Sequence, residues 1–209
     1  MNIGILVAGN MTNTAGPYLI RQGHKLLVSY SRDRGKLEQV SQGLGGGTRA
    51  GSPEEAARFG DVIVLSTPWD GAPAALRAAA PLDGKLVWSI VNPLKTDYSG
   101  LVLGTTTSGS EELAKLVPRA AFVAGWPPFA EVLSSPSRRF GAERPTLFYC
   151  GIDEGGKRTV APLFEALDVD AVDAGPLYAA RFIEPAMFLL VDLAYRQKMG
   201  QVGARLLRR

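Results

Sequence analysis

The stretch GILVAGNMTNTAG, residues 4 to 16, carries the first groups in the chain suited to hold an anion. The dinucleotide fingerprint G-x-G-x-x-G, laid on it, puts its three glycines at Val7, Gly9 and Thr12, so the middle glycine alone is kept. In such a turn the first glycine permits the sharp bend, the second lets backbone approach a pyrophosphate, and the third lets helix and strand pack closely. Gly9 stands where a side chain would collide with phosphate, the substitution that binding could least tolerate. Val7 is expected to end the strand with its backbone in the β region, its side chain narrowing the space near an adenine ribose. Thr12 is expected to push the helix from the sheet unless Ala15 or Gly16, a turn later, accommodates it. Neither change removes the free N–H groups of the helix start, which attract anions through unpaired donors and the helix dipole. Asn10, Thr12 and Thr14 add side-chain donors.

A second cluster lies at the tip of the next apolar run, in KLLVSYSRDRGK. An NAD site places an acidic residue about 20 positions past the glycines, to hold the ribose 2′-hydroxyl. Here the tip carries Tyr30, Ser31 and Arg32, with Lys36 a turn later, and Asp33 only after the arginine. A hydroxyl, a guanidinium and an ammonium suit a 2′-phosphate, which points to NADP over NAD. A merely solvated helix start would also use such residues.

These groups need a scaffold that brings strand ends together. NIGILV (2–7), KLLVSY (25–30), DVIVLST (61–67), KLVWSIV (85–91) and AAFVAG (120–125) read as buried strands. Helices are expected at about 11–22, in the turn and helix that SRDRGKLEQV opens and GLGGG (43–47) closes, and at 52–59, 69–80 and 109–117. Two starts are marked by capping boxes, Ser52 to Glu55 with Pro53 at the first helical position, and Ser108 to Glu111. PPFAEVL (127–133) opens a short helix, RPTLFYCG (144–151) and VDAVDAG (169–175) are late strands around a helix at 154–167, and helix is expected from Leu177 to about Met199, with a short one after Gly200. Alternation at this spacing demands crossover connections and a parallel sheet. The expected fold is α/β: a Rossmann-type, doubly wound, mostly parallel sheet over residues 1–175, with a helical segment at 176–209 packed back on it. The polar stretch from Asn92 to Ser110 is long enough to suggest a functional loop.

A chain of 209 residues, 46% hydrophobic and 21% charged, is ordinary for a soluble globular protein. Its formal charge of +3 is matched by Arg205, Arg208 and Arg209 at the end, which leaves no basic face for nucleic acid. One cysteine, Cys150, and one histidine, His24, argue against an internal disulfide and against a cysteine or multi-histidine metal site. The start lacks a secretion signal's charged and apolar pattern, and AMFLLVDLAY, about half a membrane span, carries Asp192. A cytoplasmic location without a membrane partner is expected.

Taken together, the chain resembles the coenzyme F420-dependent NADP oxidoreductases, a domain that also occurs in STEAP-type metalloreductases. The resemblance rests on IGILVAGN, on SR with Lys36, on STPWDGAPAAL, on NPL at 92–94, on TSGSEELAKLVPRA at 107–120 and above all on DAGPLYAARFIEP at 173–185, with KMGQVGARLL at 198–207 similar to the family's C-terminal signature. It implies an enzyme that transfers a hydride directly between NADPH and a deazaflavin of the coenzyme F420 type, and usually a homodimer. Positioning is most of such catalysis, so no side-chain acid or base is needed. Carried over residue by residue, Ala8, Gly9, Asn10 and Met11 supply the pyrophosphate turn; Ser31, Arg32 and Lys36 bind the 2′-phosphate; Thr67, Pro68 and Trp69 flank the ribose and nicotinamide side; Asn92 and Pro93 sit at the nicotinamide pocket. The family's common Phe-Asn-Thr or His-Thr segment is replaced by GWPPF (125–129), a bulkier and stiffer wall, which makes Pro127 and Trp126 pocket candidates, with a merely packed aromatic the alternative for Trp126; Met199, in the C-terminal signature, is the third.

Two rivals stand beside this reading. One keeps NADPH but delivers electrons to flavin, a ferric complex or another small acceptor. The other, of a different class, is a degenerate Rossmann protein that binds nucleotide or a partner without chemistry. Among single residues, His24 is expected to be structural and Cys150 a buried small hydrophobe. Trp69 either stacks on cofactor or packs a helix start. Arg181 and Glu184 are expected to form an ion pair orienting the C-terminal helix, AMFLLVDLAY to be core or dimer contact, and Tyr195 and Asp192 are weaker site candidates.

Overall fold

The computed structural model describes residues 1–7, 9–29, 34–127 and 129–209, with Arg34 described by its backbone. Along the chain run β1 (Asn2–Leu6), α1 (Asn10–Arg21), β2 (Lys25–Ser29), α2 (Arg34–Leu44), β3 (Arg49–Ala50), α3 (Pro53–Phe59), β4 (Val62–Leu65), α4 (Ala72–Ala79), β5 (Leu86–Ser89), α5 (Gly109–Ala114), β6 (Ala121–Gly125), α6 (Ala130–Ser134), β7 (Thr146–Gly151), α7 (Glu154–Glu165), β8 (Asp170–Pro176) and α8 (Ala180–Val191). Single 3₁₀ turns precede α4 and α8, and a π-helical turn, Asp192–Arg196, follows α8.

Among the described residues the strands form one sheet in the order β3-β2-β1-β4-β5-β6-β7-β8. Pairing is parallel from β3 through β6, antiparallel between β6 and β7, and parallel again between β7 and β8. The expected doubly wound, mostly parallel Rossmann-type fold is what the chain adopts. Successive strand residues point to opposite faces, so Leu6, Ile63, Leu65, Val87 and Phe122 join a core with α3, α4, α5 and α8. Ile3, Ile5, Val64, Trp88 and Val123 join a second core with α1, α2, α6 and α7. Each such side chain taken fully from water contributes about 1.5–3 kcal/mol, and the central strands bury both faces. That explains why they read as unbroken apolar runs.

Local signals set the element ends. Ser52 accepts from the Glu55 amide, and the Glu55 carboxylate accepts from the Ser52 amide, which fixes the start of α3. Ser108 caps α5 by accepting from the Glu111 amide, but the expected reciprocal box is not formed: the Glu111 carboxylate accepts from the Ser108 hydroxyl at 2.8 Å, and the helix stops at Ala114 rather than near 117. The C-terminal helix ends with Arg196 rather than Met199, and no helix follows Gly200. Lys198 and Gly200 take φ of 58° and 76°, which turns the chain out of the helix. Its polar backbone groups are then used elsewhere: Ala204 O accepts from Thr146 N at 2.7 Å and Leu206 N donates to Thr146 Oγ1 at 2.9 Å.

The first helix is tied to α6 by one tyrosine. Tyr18 donates its hydroxyl to Leu133 O at 2.6 Å and accepts from Arg138 at 3.0 Å. Its ring lies between two guanidinium groups, those of Arg21 and Arg138, at 4.3 and 4.4 Å from the centroid. Contacts of this kind add to packing through the ring's quadrupole.

Candidate active site

The C-terminal ends of the parallel strands gather at one edge of the sheet, where open α/β folds bind ligands. The turn from β1 to α1 is the first part of that edge. Val7 does not stay in the β region: its φ is +91°, the conformation for which the fingerprint uses glycine. The turn geometry overrides the residue's preference because three hydrogen bonds hold it. Val7 N donates to Ser29 O at 3.0 Å, while Val7 O accepts from the hydroxyls of Thr12 at 2.8 Å and Ser66 at 3.2 Å. Thr12, buried in the third glycine's place, thus fastens the turn. The helix still packs closely a turn later, where a Cβ on Gly16 would come within 2.9 Å of Leu44. Between α1 and the sheet a cavity of ≈ 20 Å³ remains, lined by Thr12, Ala15, Val64 and Trp88 and reaching Met11, Ser66, Ile90 and Pro127 at the strand ends.

Gly9 is the N-cap of α1, without a side-chain cap, and the first turn of the helix carries no acidic residue. The first helical bond, Asn13 N to Gly9 O at 3.1 Å, leaves the N–H groups of Asn10, Met11 and Thr12 without helical acceptors. A Cβ at Gly9 would meet Val7 Cγ1 at 3.8 Å and, among the described residues, no other heavy atom within 4 Å. Val7 therefore borders the place of that Cβ without filling it, and the helix end carries partial positive charge.

Two buried oxygens mark the neighbouring strand ends. Thr67 Oγ1, just past β4, and Asn92 Oδ1, just past β5, have no hydrogen-bond partner among the described residues. Asn92 Nδ2 donates to Glu184 O at 3.4 Å, which leaves its oxygen unpaired. A buried polar atom without a partner costs about 1–3 kcal/mol, and the hydroxyls or carboxamide of a nucleotide would supply what is missing. The arrangement of bare backbone, free amides and orphaned oxygens is chemically suited to a dinucleotide.

The other candidates fall in different places. Asn10 and Pro68 are exposed and Met11 half-buried at the strand-end edge, and Pro93 is buried. Trp69 packs on the α4-side core, where a Cβ on Gly109 would come within 3.0 Å of its ring. Lys36 is exposed on the first turn of α2. Ala8, and the tip residues Tyr30, Ser31, Arg32 and Asp33, lie outside the described residues, as does Pro128. Of the three pocket candidates, Pro127 lines the cavity between α1 and the sheet. Trp126 is buried at 4% exposure and donates its indole N–H to Val91 O at 3.1 Å, so it belongs to the core behind the wall. Met199 lies on the tail at 62% exposure.

Arg181 and Glu184 do not pair with each other. Arg181 forms a two-pronged contact with Glu111 at 2.8 and 2.7 Å, and Glu184 accepts from the Gly109 and Ser110 amides at 2.8 and 2.9 Å and from the Ser110 hydroxyl at 2.9 Å. Burial pushes the Glu184 carboxyl above its ordinary range, while those donors pull it back. Both residues moor α8 to the start of α5. Sequence reasoning placed them on one helix but had no signal for their partners 70 and more positions away. It also passed over Glu131, whose carboxylate accepts from Tyr195 Oη at 3.1 Å. His24 lies beside the amino-terminal nitrogen at 3.2 Å, its pKa lowered by burial and then by that charge, remote from the strand-end edge. Among the described residues, no group of three or more His, Cys, Asp and Glu could hold a metal, and no helix is long and apolar enough to cross a membrane.

Comparison with known proteins agrees with the resemblance read in the sequence. A family model described as NADP oxidoreductase, coenzyme F420-dependent, matches residues 2–93. The F420-dependent NADP reductase of Methanocaldococcus jannaschii is 28% identical over 160 residues, 73% of this chain and 70% of that one. A crystal structure from Arthrobacter sp. FB24, provisionally designated an F420-dependent NADP-reductase, has a TM-score of 0.87 at 25% identity, with 100% of both chains covered. The reductive aminase of Aspergillus terreus in complex with NADPH and ethyl-5-oxohexanoate shares the fold alone, at TM-score 0.68 and 16% identity over 94% of this chain and 62% of its own.

Proposed function

We propose that this NADP-dependent oxidoreductase, a relative of the coenzyme F420-dependent NADP oxidoreductases, moves a hydride between NADPH and a deazaflavin of the coenzyme F420 type. In the reducing direction the nicotinamide gives up a hydride, the deazaflavin takes it together with one proton from solvent, and NADP⁺ remains. The chain's own residues bind and orient. The free amides of Asn10 and Met11, with Ala8 and the bare Gly9, take the pyrophosphate. Ser31, Arg32 and Lys36 take the 2′-phosphate. Thr67 Oγ1 and Asn92 Oδ1 gain hydrogen bonds from the nicotinamide half, with Pro68, Trp69 and Pro93 around them. Pro127 borders the acceptor side, and the segment 176–209 completes it.

The observation that carries this reading is the open backbone at Gly9 under an uncapped helix end, with two unpaired buried oxygens on the adjoining strands. Titration with NADP⁺ and NAD⁺ tests the first half: NADP⁺ is expected to bind far more tightly, and failure of both at millimolar concentration would leave a Rossmann scaffold without redox chemistry. Turnover of NADPH with coenzyme F420, FMN and ferric chelates tests the second. Activity with flavin or iron and none with the deazaflavin would move the acceptor while keeping the enzyme. The protein is further proposed to work in the cytoplasm as a homodimer, a second copy covering Phe182 and Leu189, which α8 leaves 63% and 56% exposed. Light scattering on the purified chain checks the mass.

A further inference from the structure

We propose that Tyr195, braced by Glu131 and set against Phe129, is the wall that selects a flat, conjugated ring as the electron acceptor. The inference rests on the redox reading above and concerns the half of the site that the dinucleotide does not use.

That half begins where β6 ends. Pro127 lines the outer end of the small cavity between α1 and the sheet, and two residues later Phe129 stands at the N-cap of α6. The Phe129 and Tyr195 rings lie 5.8 Å apart, tilted at 54°. Tyr195 donates to the Glu131 carboxylate, with both oxygens at 3.1 Å, so the ring is pinned at its far end although it is 53% exposed. Exposed tyrosines ordinarily sample several rotamers; this one is held by Glu131 and by the Phe129 ring while half of it stays open to solvent. Gln201 of the tail donates to Glu131 O at 3.2 Å, which ties the last part of the chain to the same place.

The backbone beneath Tyr195 is also unusual. Asp192–Arg196 is a π-helical turn, with Gln197 N donating to Asp192 O at 2.9 Å, five residues back. Such widened turns are rare, occur mostly as single turns, and are frequent at functional sites. The Phe129 side of the wall closes the segment GWPPF, residues 125–129. A pinned tyrosine face and a tilted phenylalanine offer π surface and little hydrogen-bonding capacity, because the tyrosine's own donor is already used. A flat ring gains from that surface; an aliphatic ketone or an octahedral metal chelate does not.

The test uses the full-length chain and NADPH oxidation with coenzyme F420, FMN and ferric-EDTA, alongside NADP⁺ titration. Tyr195→Ala is expected to raise the KM for the flat acceptor roughly tenfold, in line with the loss of one aromatic stacking partner, with NADPH KM and ferric-EDTA rates unchanged. Tyr195→Phe keeps the ring and is expected to stay within about twofold of wild type, given the size of a stacking contribution. Tyr195→Leu, which fills the space without a π face, is expected to follow Tyr195→Ala and covers the case in which the smaller variant does not fold. An unchanged KM in both the Ala and Leu variants, or a Phe variant as impaired as they are, overturns the inference. A wild-type protein that binds NADP⁺ but turns over no flat acceptor overturns it together with the deazaflavin assignment. A protein that binds no NADP⁺ removes the redox reading itself, so the failures are told apart.

Discussion

Replacement of Val7 separates a turn that imposes its geometry from one that suits the residue in it. At φ +91° any side chain with a Cβ is strained, and a β-branched one most of all. The left-handed conformation costs an L-residue about 1–2 kcal/mol, a cost that Ala keeps and Gly escapes. Gly in turn adds about 0.5–1 kcal/mol of unfolded-chain entropy. The Gly variant should therefore be more stable than the Ala variant by about 0.5–1 kcal/mol, which reverses their usual order. For a chain of this size that is roughly 1–4 °C in Tm. Loss of the half-buried isopropyl costs each variant about 1 kcal/mol, so Val7→Gly should melt close to wild type and Val7→Ala below it. Because Val7 Cγ1 borders the open face of Gly9, Val7→Gly should also tighten NADP⁺ binding severalfold. Differential scanning fluorimetry, with and without NADP⁺, reads both quantities. An Ala variant as stable as the Gly variant would refute the assigned conformation, and unchanged NADP⁺ affinity would refute the crowding.

Other expectations follow from the same contacts. Glu184→Ala strands the amides of Gly109 and Ser110 and should destabilise by about 3 kcal/mol, measured by urea unfolding. The Arg181 hydrogen bond holds the Glu111 carboxyl below its usual range. That contact therefore stabilises above the pH at which an unfolded glutamate ionises and is lost as pH falls through the lowered folded value; the Tm deficit of Arg181→Met should shrink at acid pH. Cys150 is fully buried, and burial pushes its thiol up to about 12. A thiol reagent at mild alkaline pH should consequently label it only as fast as the protein opens, and immediate stoichiometric labelling would contradict its burial.

Legibility from the sequence followed the range of the forces involved. The parallel strands β1, β2, β4, β5 and β6 were readable because burial on both faces makes them unbroken apolar runs, and the starts of α3 and α5 because caps act within four residues. β3 was not, since two residues carry no pattern. Gly9 declared itself by type, whereas the left-handed Val7 did not: its conformation is set by Ser29, Thr12 and Ser66, contacts that the residue's own preference opposes. Trp126 looked like a pocket wall by proximity to Pro127, but the alternation of side chains past β6 turns its indole inward to Val91. The helix expected after Gly200 failed because the tail's carbonyl and amide are taken by Thr146. Glu184 and Glu131 acquire their roles from partners distant in sequence, and no local pattern announces them.

Tyr18 couples two halves of the molecule. The amino end of α1 faces the proposed dinucleotide, and α6 carries the proposed acceptor wall. Between them stands an aromatic clamp, contacted by two arginines and bonded to the Leu133 carbonyl. On the proposed reading, the gap between hydride donor and acceptor would depend on helix-to-helix rigidity well behind the ligands. Loosening the clamp with Tyr18→Leu would broaden the spread of donor–acceptor separations without touching either ligand, and a deuterium isotope effect that becomes steeper with temperature would register it.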